Sequence, residues 1–248
     1  MSGHNKWSSI KHKKGALDAK RGKLFTRVIK EIIVAARQGG GDIDGNARLR
    51  TAIAAAKAAN MPKANWETAI KKGTGEIEGV TIEECVYEGY GPGGCAVIVE
   101  TATDNRNRTT AELRHMFVRH GGNMGEVGSV AWMFNRKGLV VIENPTVDED
   151  TVMNAVLDAG ADDVISSEDM IEVYCNPSDL ENVKNALTAA DITFTSFKLT
   201  MVPQNTVELD ESKAKQAIDL MDSLENHDDV QNTYSNFDIS EEILNKLA

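Results

Sequence analysis

The spacing of apolar residues changes period repeatedly along this 248-residue chain. In residues 17–38, Phe25, Val28, Ile29, Ile32 and Ala36 recur at about 100° per residue and share one sector, which predicts an amphipathic helix ended by Gly39-Gly40-Gly41. A second helix is predicted over residues 46–59, with Leu49, Ile53 and Ala56 inward and Arg48, Arg50 and Lys57 outward. A third, shorter one follows Pro62, which suits a first turn, and carries Trp66, Ala69 and Ile70. Three short helices around one core predict a domain at 1–75, and the turn-rich stretch 73–79 reads as a linker.

From Thr81 the period becomes that of strands. Residues 81–90 and 95–103 flank Gly91-Pro92-Gly93-Gly94 as a hairpin. Thr109 and Glu112 read as a capping box for a helix with Leu113, Met116 and Phe117 inward, and residues 129–134 read as a further strand. Between Gly138 and Val202 the predicted order is strand, helix, strand, strand, helix, strand, the ferredoxin-like pattern. A helix at 211–224 and a strand at 230–234 lack partners nearby in sequence, so they are expected to rejoin the sheet begun at Thr81. The expected fold class is multidomain α and α+β. A helical domain (1–75) precedes a discontinuous α+β domain (80–135 and 204–248), into which a ferredoxin-like α+β domain (136–203) is inserted.

Charge adds a direction to this layout. Residues 1–38 hold ten Lys or Arg against Asp18 and Glu31, inside a chain whose net charge is −11. Residues 1–75 carry 16 Lys or Arg and 5 Asp or Glu, and the remainder carries 11 and 33. Self-repulsion gives no reason to gather cations at one end, whereas a polyanion does, because each cation that meets a phosphate releases condensed counterions. Residues 2–14 are polar and basic without apolar period, as expected of an arm that orders on a partner. On the first helix Lys20, Lys23, Lys30 and Arg37 lie opposite the apolar sector, with Arg27 beside them. The loop Asp104-Asn105-Arg106-Asn107-Arg108 places two guanidinium forks at a helix start, where free N–H groups already favour anions. The predicted nucleic-acid contacts are Lys6, Trp7, Lys11, His12, Lys13, Lys14, Lys20, Arg21, Lys23, Arg27 and Lys30, with Arg106 and Arg108 as a second site. Trp7 is placed either to stack on a base or to pack on the first helix.

Other chemistry finds little support. Gly89, Gly91 and Gly94 satisfy the spacing of a dinucleotide motif, but a strand follows them where that site needs a helix. His4, His12, His115, His120 and His227 have no Cys, Asp or Glu at metal-ligand spacing, and no phosphate-binding loop or nucleophile elbow is present. Paired carboxylates such as Asp228-Asp229 read as solvated. No catalytic residue, cofactor, metal or small-molecule substrate is expected. Cys85, Cys95 and Cys175 read as buried free thiols of a reducing compartment, and no apolar run approaches the roughly 20 residues of a membrane span, so a cytoplasmic protein is expected.

GHNKWSSIKHKKGALDAKRGKLFTR, EGYGPGG, DNRNRT followed by ELRH, GGNMGEVGSVAWMF and DDVQNTYSN occur in that order. Together they resemble the YebC family, whose mitochondrial relatives are translational activators of cytochrome c oxidase. The resemblance covers essentially the whole chain and implies a helical N-terminal domain and two α+β domains, one inserted in the other. It implies a regulator of gene expression in one of two forms: a DNA-binding transcriptional regulator, or a ribosome-associated factor that helps translation through difficult sequences such as proline runs. The basic stripe is mostly lysine, which grips phosphate as a point charge and favours recognition of backbone and shape, as in structured RNA, over base readout. Ribosomal RNA is therefore the expected partner, with DNA the alternative.

Overall fold

A computed structural model describes residues 17–143, 146–167 and 169–247, without the side chains of residues 17–21 and 245. The described residues form two compact units, one of residues 132–205 and the other of the described residues before and after it.

The larger unit begins with α1 (Leu17–Gly39), α2 (Ala47–Ala58) and α3 (Lys63–Thr74). Asn46 caps α2 by accepting from the Leu49 N–H, and its amide donates back to the Ala35 and Gly40 carbonyls, tying the loop to the end of α1. Gly75 ends α3 at φ +79°, a left-handed conformation that costs glycine little. The core joins Val28, Ile32 and Ala36 of α1 to Leu49, Ile53, Trp66 and Ala69, with Phe25 and Ile29 half-buried at its margin. Ile33, Val34 and Ala35 are buried too, and Ile82 and Ala102 join the same cluster. The second half of α1 is thus enclosed on more than one side, which a single apolar sector did not predict.

A sheet in the order β3-β1-β2-β9 follows, from β1 (Glu83–Tyr90), β2 (Ala96–Thr103), β3 (Asn123–Met124) and β9 (Val230–Ser235). β9 pairs antiparallel with β2, Val97 opposite Ser235, so the C-terminal segment does rejoin the first sheet. Helices α4 (Arg106–Arg119) and α7 (Glu211–Glu225) supply Leu113, Phe117, Leu220, Met221 and Leu224 to a core with Tyr87, Val97 and Val99 of the strands. A short parallel pair, β8 (Val207–Glu208) with β10 (Phe237–Asp238), and α8 (Glu241–Leu247) complete the unit.

The smaller unit contains β4 (Phe134–Glu143), α5 (Glu149–Val156), β5 (Ala161–Ser167), β6 (Met170–Cys175), α6 (Leu180–Ala189) and β7 (Ser196–Pro203). Its strands run β5-β6-β4-β7, every pair antiparallel, as the ferredoxin-like order requires. Val152, Val156, Val183 and Leu187 of the two helices pack on Val140, Ile142, Ile171 and Val173.

Two expectations fail locally. Residues 129–134 are not a strand: a 3-10 turn at Ala131–Met133 leads into β4, because the backbone N–H groups of Val130 and Ala131 are taken by the Glu88 carboxylate. The helix at 106–119 is not capped by a Thr109–Glu112 box. Asn105 caps it, accepting from the Arg108 N–H at 3.1 Å, while the Thr109 hydroxyl is drawn into the interior. The three cysteines are free thiols, with Cys95 and Cys175 buried, and burial pushes the Cys95 thiol up to about 11.

Candidate nucleic-acid interface

Lys23, Arg27 and Lys30 recur at i, i+4 and i+7, one stripe along α1. The stripe does not meet solvent as a free phosphate ligand. The Lys23 ammonium donates to the Asn226 carbonyl and side-chain oxygen, both at 3.1 Å, and the Arg27 guanidinium donates to the Glu225 carbonyl. Lys30 donates to the Asp228 carbonyl at 2.9 Å and to the Asp229 carboxylate at 2.5 Å. These acceptors belong to the C-terminal end of α7 and the turn after it. The last carbonyls of a helix lack intrahelical partners and carry the negative end of its dipole, so three cations in a row serve there as a cap supplied by another helix. Burial lowers the affinity of the Arg27 guanidinium for its proton, and Glu225 and Asp228 oppose that shift.

Asp229, expected to be solvated, is the hub of this contact and only 3% exposed. Its carboxylate accepts from Lys30, from Arg108 at 2.8 Å, from the Thr109 hydroxyl at 2.7 Å and from the Thr103 hydroxyl at 3.1 Å. Burial alone would push the Asp229 carboxyl up, but hydrogen bonds from Lys30, Arg108 and Thr109 override it and hold the group well below the usual carboxylate range. Arg108 also pairs with Asp104, so the second predicted site loses one of its two arginines to the protein's own carboxylates. Arg106 is exposed.

Glu112, His227 and Asp229 each bring a ligand atom within 4.8 Å of the others, a spacing a metal ion could use. Their protons argue for a closed hydrogen-bond chain instead. The Asp229 N–H donates to His227 Nδ1, which leaves Nε2 as the N–H that meets Glu112 at 2.7 Å, and the Asp229 oxygens already hold two cations and two hydroxyls. A metal would have to displace Lys30 and Arg108.

Two further carboxylates organise the unit. Glu88 is buried and accepts from the N–H groups of Gly128, Val130 and Ala131, which outweigh the cost of burial and keep it ionised below the ordinary value. Arg48 forks onto Glu31 and Glu84, so one cation read as outward-facing instead joins α1 and α2 to β1. Lys6, Trp7, Lys11, His12, Lys13 and Lys14 lie outside the described residues, as do the side chains of Lys20 and Arg21. Sequence reasoning missed Glu88, Asp229 and the turn at 225–229. One signal was available: Ile32-Ile33-Val34-Ala35-Ala36 is a continuous apolar run, longer than a helix exposed on one side needs.

A family described as "TACO1/YebC protein N-terminal domain" matches residues 5–76, and one described as "TACO1/YebC second and third domain" matches residues 82–237. A "probable transcriptional regulatory protein" of Syntrophobacter fumaroxidans is 59% identical over 249 residues, covering 100% of both chains. One of Geobacter sulfurreducens is 58% identical over 247 residues, again covering 100% of both. A crystal structure of a conserved hypothetical protein from Aquifex aeolicus superposes with a TM-score of 0.85 at 48% identity, covering 93% of this chain and 96% of that one.

Proposed function

The chain belongs to the TACO1/YebC family, and from that premise we propose that it is a non-enzymatic, nucleic-acid-binding regulator that acts on translation in the cytoplasm by gripping the backbone of structured RNA, ribosomal RNA foremost. The observation that carries this reading is the polarity of charge: ten Lys or Arg in the first 38 residues of a chain with net charge −11. Removing Lys23, Arg27, Lys30 and Arg108, which are spent internally, moves the proposed contacts toward the N-terminus. They are Lys6, Trp7, Lys11, His12, Lys13, Lys14, Lys20 and Arg21, with Arg106 at the second site. Lysines hold phosphate without reading bases, which suits an RNA recognised by shape. The names carried by the bacterial relatives favour a second reading, a DNA-binding transcriptional regulator.

Crosslinking in cells followed by sequencing separates the two. Ribosomal RNA should dominate the recovered fragments; promoter DNA in its place would overturn the translational reading. In vitro, replacing Lys11, Lys13 and Lys14 by Gln should weaken RNA binding and flatten its dependence on salt, and an unchanged slope would remove the arm from the interface. Ribosome profiling of a deletion strain should show new pauses at proline runs.

A further inference from the structure

Residues 76–248 hold 11 Lys or Arg against 33 Asp or Glu, yet four of those 11 lie on the 14-residue helix α4, where Glu112 is the one acid. Leu113 and Phe117 turn inward, and Arg106, Asn107, Arg114, His115 and Arg119 are exposed. Arg108 is committed to Asp229 and Asp104, and Glu112 to His227. Among the described residues, the guanidiniums of Arg106, Arg114 and Arg119 make neither an ion pair nor a hydrogen bond. The first turn contains no acid and opens on Arg106, at the end of the helix where the dipole disfavours a cation. Such a local departure from what stabilises a helix is expected where the surface has another use.

We infer that the exposed surface of α4 is a second contact with the RNA backbone, held by Arg114 and Arg119 on its outward side and by Arg106 at its first residue, where the helix end rather than the outward face exposes it; this rests on the nucleic-acid reading above. The three span about 20 Å at 1.5 Å per residue, the length of roughly six phosphates on one strand. By helical period Arg114 and Arg119 lie on either side of the outward line through Ala111, so their forks reach two flanks of the helix. Each can take two phosphate oxygens at once, which the lysines of the N-terminal arm cannot. Asn107 and His115 lie between them, too few amide groups for a row of base contacts, so this face grips backbone and fixes orientation.

The test is equilibrium binding of the full chain to an RNA duplex of about 16 base pairs and to a DNA duplex of the same sequence, across a range of salt. Four proteins are compared: wild type, Arg106→Gln/Arg114→Gln/Arg119→Gln, the arm variant Lys11→Gln/Lys13→Gln/Lys14→Gln, and an exposed-lysine control, Lys198→Gln/Lys215→Gln. The α4 variant should keep the wild-type melting temperature, bind RNA about tenfold or more weakly, and lose about two to three from the slope of log affinity against log salt; the control should change neither. A wild-type slope in the α4 variant, with a reduced slope in the arm variant, would overturn the inference and leave the nucleic-acid reading standing. Wild-type protein that binds neither duplex would remove that reading, and the inference with it. A loss confined to the DNA duplex would overturn the assignment to RNA.

Discussion

Two basic helices of the same unit spend their cations in opposite ways. On α1, Lys23, Arg27 and Lys30 form a regular stripe, and all three are absorbed by the C-terminal end of α7 and the turn at 225–229. On α4, Arg106, Arg114 and Arg119 have no carboxylate partner among the described residues, although they lie in the acidic part of the chain. The tidier pattern in sequence is thus the structural one. A row of cations identifies a polyanionic partner only after the protein's own helix ends and buried carboxylates have been counted against it, because a helix C-terminus is itself an array of acceptors.

The contrast can be broken most forcefully at Asp229. Asp229→Ala strands Lys30 and Arg108 beside Thr103 and Thr109, and removing one partner of a buried ionic cluster should cost about 3–5 kcal/mol in urea unfolding. A cost under about 1 kcal/mol would mean that the α1 stripe is not held as described. Lys30→Ala should follow at about 1.5–3 kcal/mol, the worth of hydrogen bonds to charged groups, while leaving the salt slope of RNA binding unchanged.

A smaller effect concerns pH. Because the Asp229 carboxyl is held below its unfolded value, the cluster's contribution is complete above the ordinary aspartate value of about 3.9 and is lost as pH falls through the folded one. The acid limb of the stability curve, measured by thermal unfolding below about pH 4, should be shallower in Asp229→Asn than in wild type. The smallest change in stability is expected at Arg114: Arg114→Gln should unfold within about 0.5 kcal/mol of wild type, as an exposed side chain with no partner among the described residues would, and yet bind RNA less tightly.

Local pattern carried most of the fold because helix and strand periods are properties of neighbouring residues. α1, the β1–β2 hairpin and the ferredoxin-like unit were legible for that reason, and even the return of β9 to β2 followed from a strand left without a near partner. Long-range polar contacts were not. Lys30 and Asp229 are 199 residues apart in sequence, so nothing adjacent to Asp228-Asp229 distinguishes a buried acceptor from a solvated pair. Residues 129–134 have the composition of a strand, but the N–H groups of Val130 and Ala131 go to Glu88, some 40 residues earlier. The candidate interface was half-legible in the same sense. The excess of cations at residues 1–38 could be counted, and which of them a distant helix end would claim could not.

Arginine-directed chemical footprinting of the full chain, with and without the RNA duplex and read residue by residue by mass spectrometry, tests the contrast most directly. Arg106, Arg114 and Arg119 should react readily in the free protein and become protected on RNA, while Arg27 should be slow in both states. Protection that appears at Arg27 on adding RNA, with Arg114 and Arg119 unchanged, would contradict the account: α1 would then leave α7 to meet the ligand, and α4 would be an ordinary solvated face.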